Sequence, residues 1–247
     1  MNGKWTVQKA ESFENTSFLL AFLLEEFSRI FGKNIMFNED CIIFNDPKAD
    51  CPMLIINDAP VHIRLTQDSP FYFPQTIYQL SHEMCHYAIR QGKEDKDFTL
   101  SWFEEIICEA VSLYALEYAS REWQKCILAQ SQPYWGQLYS QYLTNELSKS
   151  YSNDFEKCDT IEKLRCYEAQ RISESQRETH RAERNYVYRV ITQNPLELKC
   201  ILNYTQYIEN NGVTINFDKW IQDNPWEFLN KLKKIQPVKF YAGAIPA

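Results

Sequence analysis

Only six glycines are spread through the 247 residues of this chain. Tight hairpin turns and phosphate-cradling loops depend on glycine, because other side chains resist the backbone angles and close approaches they need. The scarcity argues against a turn-dense all-β fold and against a Gly-rich nucleotide site. Long segments with apolar residues at helical spacing point to a mainly helical chain instead. Core material is ample, with 6 Trp, 15 Tyr and 15 Phe and an apolar share of 45%, which excludes a disordered chain. The balance of 33 acidic against 26 basic residues leaves no electrostatic footprint for nucleic acid or anionic lipid.

Met1 to Phe13 is polar and mixed in charge, without the cationic start, apolar stretch and small-residue cleavage site of a secretory signal. The most apolar run, Phe18 to Leu24, is followed at once by Glu25 and Glu26 and is far short of the ~20 residues a bilayer needs. No membrane association is expected. Eight cysteines occur and none forms a C-x-x-C pair. They read as reduced thiols in a cytoplasmic protein, and a zinc site built from cysteine is not supported.

Apolar spacing predicts an amphipathic helix over residues 14–31, with Phe18, Phe22, Ile30 and Phe31 on its apolar face and Gly32 ending it. Short apolar runs at 35–37, 41–44, 53–56 and 61–65 are separated by Asn, Asp and Pro, including the turn at 57–60, and read as a small sheet. In the last run Val61, Ile63 and Leu65 alternate with His62, Arg64 and Thr66, the pattern of a half-buried edge strand that exposes His62. Pro74 opens a helix that Gln91-Gly92 closes, and a second long helix is expected over 101–129. Residues 134–235 return to helical spacing, interrupted at Asn194-Pro195, Asn210-Asn211-Gly212 and Asn224-Pro225. The expected fold is α+β, mainly helical: a core over 1–130 in which the sheet packs on the 74–91 helix, and a helical subdomain over 131–247 packed on it.

Within that helix the chain reads His82-Glu83-Met84-Cys85-His86. Residues four apart on a helix share a face, so two imidazoles can grip one cation, with Glu83 beside them near a bound water. Cys85 points off that face and reads as packing. A catalytic zinc takes three protein ligands and keeps a position open for water. The third ligand must come from elsewhere, and the following helix offers Glu104, Glu105 and Glu109. Ser101 and Glu104 have capping-box spacing, which assigns Glu104 to the helix start. Glu105 and Glu109 share a face one turn apart.

The motif resembles that of the HExxH zincin metallopeptidases of gluzincin type, in which the third ligand is a glutamate on the next helix. Eighteen residues separate His86 from Glu105, similar to the aminopeptidase branch. Trp102-Phe103-Glu104-Glu105 looks like that branch's Trp-x-x-Glu, although Ile106 stands where its glycine would be. Glu105-x-x-x-Glu109 looks like the thermolysin-type Glu-x-x-x-Asp, whose second carboxylate supports a ligand histidine. The resemblance implies that His82, His86 and Glu105 bind Zn2+. Glu109 is then a supporting carboxylate or the alternative ligand, and Glu83 the general base. Such enzymes also take an oxyanion donor from outside the motif, for which His180, Tyr114 and Tyr118 are the candidates. The implied activity is zinc-dependent hydrolysis of peptide bonds in a peptide or protein substrate, held in extended form by the strand at 61–66. The alternative is a zincin-like scaffold that binds a protein or regulates, with little or no proteolysis.

Overall fold

A computed structural model of the chain describes residues 3–8, 14–56, 59–69, 71–96, 98–170 and 174–238. Positions 57 and 58 of the expected 57–60 turn, and residues 239–247 of the expected helical part, lie outside the described residues.

The fold is mainly helical with one small mixed sheet. Helix α1 (Glu14–Phe31) buries Leu19, Leu23, Phe27 and Ile30, a stripe at helical spacing, while Phe18 is left 43% exposed rather than on the apolar face. It ends at Gly32, whose φ of 94° lies in the left-handed region where a Cβ is disfavoured. The next apolar run, read above as a strand, is the short helix α2 (Lys33–Met36). Three apolar residues carry no period of their own. Here the amides of Ile35 and Met36 turn back onto the Gly32 carbonyl, and Met36 drops into the core.

The sheet has the order β1-β2-β4-β3, formed by β1 (Trp5–Val7), β2 (Cys41–Asn45), β3 (Met53–Ile55) and β4 (Val61–Leu65). β1, β2 and β4 run parallel, and β3 joins β4 antiparallel. β4 is therefore an inner strand and β3 the edge, which corrects the sequence reading. The alternation in β4 is as expected, with Val61, Ile63 and Leu65 buried. Alternation reports one buried face and says nothing about neighbours in the plane of the sheet. His62 is only half-exposed, since it is flanked in register by Ile42 and Ile55. β1 lies in the segment read as polar. Its Trp5 is held by an indole N–H donated to the Met36 carbonyl at 2.5 Å and by edge contact with Tyr87.

Helix α3 (Phe73–Gly92) and helix α4 (Ser101–Glu122) pack along one another at the centre of the molecule. α4 is buried nearly all round, the pattern of a helix enclosed by others. It stops at Glu122 and gives way to short 3-10 turns, where a helix to 129 was expected. The Trp123 indole N–H donates to the Gln132 carbonyl at 2.7 Å and the ring packs on Tyr139, which draws the chain back on itself. Helices α5 (Gly136–Ser148), α6 (Ile161–Glu168), α7 (Glu174–Thr179) and α8 (Arg181–Gln193) follow. A 3-10 stretch over Pro195–Tyr207 leads to α9 (Phe217–Asp223) and α10 (Glu227–Leu232). α5 and α8 pack directly on α4, and Tyr139, Ile191 and Leu229 belong to the same buried cluster as Leu23 and Ile63. Among the described residues no helix is long and apolar enough to cross a membrane.

Candidate metal centre

α3 presents His82 and His86 one turn apart, and α4 presents Glu105 toward them from just beyond its first turn. The two Nε2 atoms are 3.2 Å apart. Glu105 Oε2 lies 3.4 Å from His82 Nε2, and Glu105 Oε1 lies 3.3 Å from His86 Nε2. The three side chains thus aim one donor atom each at a common point, all within 4.8 Å of one another. Burial raises the Glu105 carboxyl, but the two imidazoles facing it outweigh this and hold it well below the usual carboxylate range. Burial lowers His86, and Glu104 and Glu105 together more than reverse that, so it is raised well above the usual imidazole value.

Glu104 does not cap its helix. It is buried, with Oε2 3.3 Å from His86 Nδ1, while Oε1 accepts from Lys93 Nζ at 3.0 Å and from the Tyr204 hydroxyl at 2.6 Å. The start of α4 is served instead by Glu168 of α6, whose carboxylate accepts from the amides of Ser101 (2.6 Å) and Trp102 (3.0 Å). Capping-box spacing is a local signal, and a carboxylate from a distant helix has displaced it. Glu104 is thereby free to orient the His86 ring. A proton on Nδ1 facing this carboxylate leaves the Nε2 lone pair directed at the common point. That is the part assigned above to Glu109.

Glu109, one turn further on, is not part of the group that meets the two histidines. Its carboxylate lies 3.4 Å from Arg177, 3.6 Å from His180 and 3.8 Å from Arg184. His180, a candidate oxyanion donor above, is wholly buried: Nδ1 meets the Tyr167 hydroxyl at 2.9 Å and Nε2 lies 3.6 Å from Glu109. Neither Tyr114 nor Tyr118 reaches the centre. The Tyr114 hydroxyl donates to Glu26 of α1, and Tyr118 packs on Phe22 with ring centroids 5.0 Å apart. Their phase explains it. At about 100° per residue, positions nine and thirteen beyond Glu105 fall on the opposite side of α4.

Glu83 is buried and lines the same cleft as the two histidines and Glu105, a cavity of about 320 Å³. Met53 and Leu54 of the edge strand form one wall, and Arg177 faces the cleft from α7. The sequence reading had not singled out Arg177. Its signal was the stripe Arg177, Arg181, Arg184 at helical spacing, which marks one cationic face within a segment that looked uniformly charged. Cys85 is fully buried.

No family model, curated protein or solved structure matches this chain.

What the centre can hold follows from its own atoms. Glu105 Oε2 is buried and has no hydrogen-bond partner among the described residues. Two imidazole nitrogens face each other at 3.2 Å, and both lie beside the Glu105 carboxylate. A cation at the common point satisfies all three groups at once. Two imidazoles and one carboxylate are a donor set that suits zinc, with room for a further ligand on the open side of the cleft.

Proposed function

We propose that this chain is a zinc-dependent peptidase of the zincin kind, in which His82, His86 and Glu105 hold the metal and Glu83 is the general base. The reading is carried by the convergence of three donor atoms within 4.8 Å in a cleft that also contains Glu83. A zinc ion held there would supply Lewis acidity toward a carbonyl oxygen and toward a bound water. Glu83 takes the proton of the attacking water and passes it to the leaving amine. Arg177, facing the same cleft, is the cation available to the negative charge that develops on the carbonyl oxygen. β3 and β4 pack on α3, which fits a zincin-like arrangement. The outer edge of β3 is unpaired among the described residues, and exposed Met53 and Ile56 flank it. An extended peptide adds to such an edge through main-chain hydrogen bonds. A cytoplasmic setting is part of the proposal and rests on eight free thiols.

The test is Glu83→Gln, which keeps the shape and touches none of the three ligands. The variant should retain about one zinc per chain while cleavage of a mixed peptide library falls by ~10²–10⁴-fold. Equal cleavage by the variant with zinc still bound overturns the mechanism.

A further inference from the structure

Next to the metal cleft lies a second cavity, of about 200 Å³, which shares Pro52, His82 and Arg177 with it. Its lining is unlike that of a hydrophobic specificity pocket. Lys149, Arg177, Arg181 and Arg184 face it, against the carboxylates of Glu109 and Glu146. Those carboxylates are already shared. Glu146 serves Lys149 at 2.6 Å and Arg184 at 3.5 Å, and Glu109 serves Arg177, Arg184 and His180. Arg181 donates to the Ser150 carbonyl at 2.6 Å, and the acid that it meets among the described residues, Glu178 at 3.6 Å, is an exposed side chain. Two buried arginines, Arg181 and Arg184, with the more exposed Arg177 and Lys149 beside them, outnumber the described lining acids and favour an anion entering the cavity, most of all one that can take a guanidinium by two hydrogen bonds.

We infer that this cavity is the specificity subsite of the centre and accepts a carboxylate of the peptide, on the residue lying across His82 from the cleft. The inference rests on the peptidase reading for its place in a reaction, but not for the binding itself. The carboxylate has two sources, an Asp or Glu side chain or the free C-terminus of a short peptide. Both present the same planar anion.

The experiment uses the zinc-loaded full chain and a randomised peptide library prepared with free and with amidated C-termini. Cleavage should favour Asp or Glu at one fixed position from the cut, or else the free C-terminus, by about tenfold or more, as expected for a charge-assisted pair. Arg181→Gln should lower the ratio of acidic to neutral cleavage about tenfold. Lys149→Gln, at the more exposed rim, should lower it in the same direction should the arginine variant fail to fold. Cleavage with no acidic or terminal preference overturns the inference. Binding separates this failure from failure of the peptidase reading. N-acetyl-Ala-Glu-amide is compared with N-acetyl-Ala-Gln-amide, and N-acetyl-Ala-Ala with its amide, by NMR titration of the Glu83→Gln chain. Absent cleavage with tighter binding of either acid keeps the subsite and defeats the peptidase reading. Absent cleavage with equal binding of acid and amide defeats the subsite.

Discussion

At the scale of single residues, the assignment turns on which of three glutamates within six positions meets the two histidines. The spacing from His86 already favoured Glu105, and its carboxylate reaches both imidazoles. Glu104 reads as a cap because capping-box spacing is a local signal, whereas its inward turn goes with a distant partner, Glu168, that serves the helix start in its place. No feature near Ser101 announces that partner. Zinc affinity should rank the three carboxylates. Glu105→Ala should weaken binding by more than 100-fold. Glu104→Gln should cost ~10–100-fold, since it loosens the His86 ring without removing a ligand, and Glu109→Gln should cost least. Competition titration against a chromogenic chelator reads all three. A larger loss from Glu109→Gln than from Glu105→Ala would mean that the roles on α4 are exchanged.

Elements were legible where a period ran long enough to count. α1 ends where the sequence places its end, at a glycine that the backbone there requires, and α3 differs by one residue at each end. The sheet was legible as a set of strands but not as an order, because pairing in the plane leaves no mark on the alternation of a short strand. The phase of α4 could have excluded Tyr114 and Tyr118, since counting turns from Glu105 puts both on the face toward α1. The first turn of α4 depends on a tie that the sequence hid. Glu168→Ala removes the acceptor of two α4 amides and should destabilise the chain by about 1–2 kcal/mol, the range for loss of a helix cap. Urea unfolding with a chelator present measures it without the metal contributing. The same variant should weaken zinc binding, because Glu104 stands in that first turn and Glu105 directly follows it. An unchanged midpoint would show that solvent serves these amides equally well.

Over the whole molecule, α4 is tied to the helices beyond residue 130 through buried charge. Glu109 is fully enclosed by Arg177, His180 and Arg184 from α7, α8 and the residue between them, with Tyr78 of α3 and Glu146 of α5 also near it. Burial raises its carboxyl, but His180 and the two arginines outweigh that and hold it below the usual carboxylate value. The sign follows from linkage. A carboxyl whose value is lower folded than unfolded adds stability that is present above the unfolded value, ~4.5, and lost as pH falls through the folded one. Glu109→Gln removes that contribution and leaves buried arginines short of an anion, so at pH 7 it should destabilise the chain by roughly 3–5 kcal/mol. Below pH ~4.5 the unfolded natural chain takes up the proton first and the folded carboxyl only at lower pH, so the gap between the two chains should narrow as pH falls. Urea unfolding of both at pH 7, 5.5, 4 and 3 in chelator gives the comparison. A gap that stays constant down to pH 3 would show that Glu109 acts through shape and not through charge. The ionic tie between α4 and the helices beyond residue 130 would then be no part of what holds the arginines in place beside the metal cleft.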